Sequence, residues 1–143
     1  MNWEFLWKAI PTVCEAFRWL TKRKPTRGLA LIVEDNEHDA KNLQRILRKR
    51  GWDSEVATSG EVAIGAVKHQ FYPLCFVDLR LPGLSGEALL RILSEDAPNT
   101  FLCVVCGEPA DLTNLPPGMF VSIIRKPAEL ESIEGMLQKL KFT

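Results

Sequence analysis

Apolar residues fall in short continuous runs, separated by stretches with helical spacing. Leu29-Ala30-Leu31-Ile32-Val33 ends in Glu34-Asp35, Leu74-Cys75-Phe76-Val77 ends at Asp78, and residues 101–105 form a third run. Unbroken apolar runs of this length are expected of strands buried on both faces. A helix is predicted over residues 38–50, with Leu43, Ile46 and Leu47 on one face and Gly51 placed to stop it. A short strand at 54–57 follows, then a helix at 61–68 that Ser59 can cap. Pro82 and Gly83 lie in a loop before a helix at 87–94; a strand at 121–124 and a helix at 129–140 close the pattern. Strand and helix alternating in this way predict a parallel sheet covered on both faces. In such open sheets ligands bind beyond the carboxyl ends of the strands. That rule points to Glu34-Asp35, Asp78, Cys106 and Lys126.

Composition narrows the classes. The chain has 143 residues, 46% apolar and 25% charged, with 18 basic against 18 acidic side chains. This is a globular balance for one domain, and its even charge argues against nucleic-acid binding through general basicity. No apolar run approaches the ~20 residues of a membrane span. Charge is uneven along the chain, however: residues 1–27 carry six basic and two acidic residues. Three units are therefore expected: a helical extension at 1–21, a basic linker at 22–27 and a main domain at 28–143. In the extension, Trp3, Leu6, Trp7, Ile10, Val13, Cys14, Phe17 and Leu20 fall within an arc of roughly 140° on a helix. Such a stripe is expected to be covered. Docking on its own domain, a homodimer through this helix, and a membrane surface are the alternatives, and the homodimer is the expectation.

Cys14, Cys75, Cys103 and Cys106 read as reduced thiols of a cytoplasmic protein. Cys103 and Cys106 form a C-x-x-C inside a predicted strand. There, residues three apart point to opposite faces, so a shared metal or disulfide is not expected. His38 and His69 are expected at the surface, His69 in a polar loop.

Three carboxylates directly after apolar strands repel one another unless neutralised. A hard divalent cation with oxygen ligands, such as Mg²⁺, is the economical solution, and Lys126 adds a fixed positive charge at the rim. The segments Leu31-Ile32-Val33-Glu34-Asp35-Asn36, Phe76-Val77-Asp78-Leu79-Arg80-Leu81-Pro82-Gly83-Leu84-Ser85-Gly86 and Arg125-Lys126-Pro127 resemble the receiver domain of two-component response regulators over about residues 28–141. The resemblance implies a flavodoxin-like, doubly wound five-stranded parallel α/β sheet of order 2-1-3-4-5. It implies Asp78 as phosphoryl acceptor, with Asp35, Asp78 and the Arg80 backbone carbonyl on Mg²⁺. It places Glu34 on a metal-bound water and Lys126 against Asp78 and then the phosphoryl group. It further implies a histidine kinase or phosphotransfer protein as donor and a downstream protein partner, with no enzyme activity beyond self-phosphorylation and autodephosphorylation.

The pattern departs from the family at the switch. Cys106 stands where the family has Thr or Ser, and a thiol is a weaker donor. Ile123 stands where it often has Tyr or Phe. Residues 108–118 carry three prolines, so at most two helical turns are expected. A receiver-shaped interaction module independent of phosphorylation is therefore the alternative. Enzymes on the same fold fit less well: Glu34-Asp35 would repel a flavin phosphate, and Arg80 stands where an aspartyl-phosphatase of the haloacid dehalogenase type would need a second Asp. The chain ends soon after its closing helix, and a stand-alone receiver is the expectation.

Overall fold

The computed structural model describes residues 28–142, apart from residues 114, 116 and 117. The expected extension at 1–21, the linker at 22–27, Cys14, and the homodimer and membrane contacts reasoned from them lie outside the described residues. Five strands, β1 (Gly28–Val33), β2 (Trp52–Ala57), β3 (Leu74–Asp78), β4 (Phe101–Cys106) and β5 (Ser122–Arg125), form one parallel sheet in the order β2-β1-β3-β4-β5. The connecting helices are α1 (Glu37–Lys49), α2 (Gly60–His69) and α3 (Gly86–Asp96), and α4 (Leu130–Lys139) follows β5. The doubly wound α/β architecture is the expected one. No helix among the described residues is long and apolar enough to cross a membrane.

Two apolar layers hold the sheet between its helices. Ile32, Phe76, Cys103, Val105 and Ile124 face Leu43, Ile46 and Leu47 of α1 and Ile133, Met136 and Leu137 of α4. Leu31, Val33, Cys75, Val77 and Val104 face Ala63 of α2 and Leu89, Leu90 and Leu93 of α3. The alternation explains why the strands read as continuous apolar runs: both faces are buried. It also sends Cys103 to the first layer and Val104 to the second, so Cys106 points away from Cys103. Cys75, Cys103 and Cys106 are all buried and none is in a disulfide.

Local chemistry sets the helix ends. The Ser59 hydroxyl accepts from the Val62 N–H at 3.2 Å, as expected, and Asn36 and Ser85 cap α1 and α3 in the same way. Gly51 follows α1 with φ 83°, a left-handed turn that favours glycine. A Cβ on Gly86 would lie 2.8 Å from Leu79 Cδ2 and 3.1 Å from its backbone, so only glycine lets α3 start this close to the strand end.

Some boundaries differ from the expectation. β2 begins at Trp52, because the indole is buried against the edge of the first layer and stacks edge-on with Phe142 at 5.0 Å. His69 is exposed, but it is the last residue of α2 rather than part of a loop, since the Gln70 N–H still reaches the Ala66 carbonyl at 3.0 Å. Among the described residues between β4 and β5 there is a single 3₁₀ turn, Pro109–Leu112, within the limit expected of a proline-rich segment.

Leu90 is fully buried between α3 and the sheet, whereas Val62 on α2 is half exposed. Leu90→Ala is expected to lower unfolding stability by about 2–5 kcal/mol, and Val62→Ala by no more than about 0.5 kcal/mol. Urea denaturation followed by circular dichroism distinguishes the two.

Candidate functional site

The strand register brings the charged residues together. Val33 pairs with Val77, which sets Glu34 beside Asp78 at the carboxyl edge of the sheet. Asp78 pairs with Val105, and Cys106 pairs with Arg125, the residue before Lys126. The Lys126 N–H donates to the Cys106 carbonyl at 2.8 Å, extending the ladder by one step into the site. Because β1 connects to β2 on one side while β3 lies on the other, this edge is the point where the chain order reverses. It is the usual crevice of such sheets.

Glu34 and Asp78 are each 4% exposed, while Asp35 is exposed. Carboxylate oxygens of all three lie within 4.8 Å of one another. The Arg80 N–H donates to Asp78 Oδ1 at 3.0 Å and the Asn36 N–H to Glu34 Oε1 at 3.0 Å. Lys126 Nζ lies 3.0 Å from Glu34 Oε2, 3.0 Å from Asp78 Oδ2 and 3.2 Å from Asp39 Oδ2. Burial pushes the Glu34 carboxyl up to about 7, although the bonds from Lys126 and the Asn36 N–H pull the other way. Burial alone would lower Lys126, but its bonds to Glu34 and Asp78 overcome this and hold the ammonium above its ordinary value.

Each residue singled out in the sequence as acceptor or metal ligand lies at this edge. Cys106 ends β4 next to it and is buried. Ile123 lies away from it, on β5, 40% exposed. Asp39 was missed. Its position four residues before Leu43 places it on the face that α1 turns to the sheet, and that spacing is the signal that could have found it. His38 is exposed at the start of α1, as expected. The three clustered carboxylates offer oxygen donors only, two of them held in place by backbone N–H groups, and this donor set suits a hard divalent cation such as Mg²⁺.

Residues 30–138 match the family model of the response regulator receiver domain. The chain belongs to that receiver-domain family. Among curated proteins it is similar to the uncharacterized transcriptional regulatory protein YkoG of Bacillus subtilis, 32% identical over 110 residues, 75% of this chain and 48% of that one. It is also similar to the DNA-binding response regulator MtrA of Mycolicibacterium smegmatis, 36% identical over 71 residues, 50% of this chain and 31% of that one. This receiver thus spans less than half the length of these relatives. Among solved structures, a CheY-like receiver domain from Methylobacillus flagellatus superposes with a TM-score of 0.73 at 30% identity, covering 79% of this chain and 98% of that one. The response regulator TrrA of Thermotoga maritima, solved with Mg²⁺ and BeF, shares the fold with a TM-score of 0.73 at 18% identity, over 79% of this chain and 98% of that one.

Lys126 bonds both buried acids of this group, Glu34 and Asp78. Lys126→Met leaves Glu34 and Asp78 buried without it and is expected to destabilise the metal-free protein by about 1–3 kcal/mol. Added Mg²⁺ should stabilise the variant more than the wild type. Thermal melts with and without Mg²⁺ check both effects.

Proposed function

We propose that this receiver accepts a phosphoryl group on Asp78 from a histidine kinase or phosphotransfer protein and acts through contact with a further protein. The observation that carries the reading is the state of the Asp78 carboxylate. One oxygen is held by the Arg80 N–H and the other by the Lys126 ammonium, at 3.0 Å each. A carboxylate fixed this way is oriented to attack phosphorus, forming an acyl phosphate while the donor leaves with the electrons of the broken bond. The residues that would hold Mg²⁺ are Asp35, Asp78 and the Arg80 carbonyl, with Glu34 on a metal-bound water. Bound there, the ion would supply charge neutralisation on the phosphoryl oxygens. Lys126 is placed to follow the negative charge from the carboxylate to the phosphoryl group. No external substrate is turned over; the chemistry is self-phosphorylation and autodephosphorylation. The even charge of the chain argues against nucleic-acid binding through general basicity.

A second reading, an interaction module that works without phosphorylation, draws on the switch residues. Cys106 offers a thiol where a hydroxyl would bind phosphate more strongly, and Ile123 has no ring to move inward. Among the described residues, a single 3₁₀ turn stands between their two strands.

Incubation with a small acyl-phosphate donor and Mg²⁺, followed by intact mass, separates the readings. A gain of one phosphoryl group that Asp78→Asn and chelator both abolish supports the first. Labelling that survives either condition overturns it, and unlabelled wild-type protein favours the second. Restoring the hydroxyl tests the switch. Cys106→Thr is expected to enlarge the amide-resonance shifts that a phosphate mimic causes around Ile123, which should be small in the wild type.

A further inference from the structure

The Lys126 ammonium has three N–H donors, and three carboxylate oxygens stand around it, on Glu34, Asp39 and Asp78. Glu34 and Asp78 belong to the acidic trio suited to a divalent cation; Asp39 does not. It reaches the lysine from the first turn of α1, where its own N–H is bound by the Asn36 side chain at 3.1 Å. One turn on, the Asn42 amide donates to the Ala128 carbonyl at 3.0 Å, so α1 also grips the chain just after Lys126. Two contacts from one helix face thus hold the loop that carries the lysine.

We infer that Asp39 is a positioning residue for Lys126: it keeps the ammonium over the site from the α1 side and shares its charge with the incoming phosphoryl group. The inference rests on Asp78 as acceptor. Its consequence is a trade. The negative charge of Asp39 strengthens attraction for a divalent cation at the neighbouring trio. The same charge offsets part of the lysine's attraction for an anionic donor. A unit charge a few ångströms away in a partly exposed site is worth about a factor of five. Asp39→Asn keeps an acceptor oxygen for Lys126 and removes only the charge. It is expected to weaken Mg²⁺ binding about fivefold and, at saturating Mg²⁺, to speed phosphorylation by a small acyl-phosphate donor about fivefold.

Opposite movements of the two quantities are a signature that loss of packing would not produce. Glu37→Gln serves as the charge control, because Glu37 lies in the same turn but pairs with Lys41 at 2.7 Å. Three readouts are needed: calorimetric Mg²⁺ affinity, the rate of mass gain at saturating Mg²⁺, and the ¹⁵Nζ resonance of Lys126 in the metal-free protein. The inference is supported if Asp39→Asn shifts the Nζ resonance, lowers Mg²⁺ affinity and raises the rate while Glu37→Gln moves none of them; higher affinity with a lower rate overturns it. It is overturned if Asp39→Asn leaves all three within error of the wild type, if affinity and rate fall together, or if Glu37→Gln reproduces the effect. Wild-type protein that binds Mg²⁺ but gains no phosphoryl mass overturns the acceptor reading instead. In that case an unchanged Nζ resonance and Mg²⁺ affinity in Asp39→Asn overturns the lysine contact, and a changed pair supports it.

Discussion

The architecture of this receiver turns on one ammonium group. Lys126 sits where β5 ends and bonds carboxylates from the end of β1, the end of β3 and the first turn of α1. Two of those carboxylates are buried. Without a cation they would oppose one another and the burial that the two apolar layers impose. The lysine therefore lets two carboxylates stay buried at the carboxyl edge of the sheet. The arrangement leaves carboxylate oxygens that suit a hard cation.

The sheet holds this arrangement rigidly because the site residues are strand ends rather than loop tips. Val33 against Val77, Asp78 against Val105 and Cys106 against Arg125 are fixed by backbone ladders buried on both faces. The position of each charge is set by the packing of Phe76, Leu31 and Ile124 beneath it. The backbone contributes directly as well. The Arg80 and Asn36 N–H groups orient one oxygen each of Asp78 and Glu34, leaving the second oxygen of each to the lysine.

On the far side of the site the family pattern thins. Cys106 ends β4 with a buried thiol, Ile123 lies exposed on β5, and Pro109–Leu112 form a 3₁₀ turn. The acid cluster and the residues around Cys106 and Ile123 are thus distinct parts of this chain. The first is built from charge and register, with Lys126 bonded to both Glu34 and Asp78. The second holds a buried thiol and an exposed aliphatic side chain.

The sequence by itself determined the fold class. Continuous apolar runs of four or five residues ending in acids suit strands buried on both faces, and the helical stretches between them point to a doubly wound sheet. It also placed Glu34, Asp35, Asp78 and Lys126 at strand ends, and the structure gathers them at the carboxyl edge, where such sheets bind ligands. Element ends were less legible. The strand expected at 54–57 starts two residues earlier, at the buried Trp52, and His69 reads as loop until the last turn of α2 is seen to continue. What only the tertiary structure decided is the company Lys126 keeps. Asp39 is 87 residues away in sequence, and its spacing from Leu43 marks it as facing the sheet without saying which side chain it meets. That depends on how α1 lies across β1 and how β5 is staggered against β4. Such long-range geometry is set by the packing of the whole core and leaves no local pattern to read.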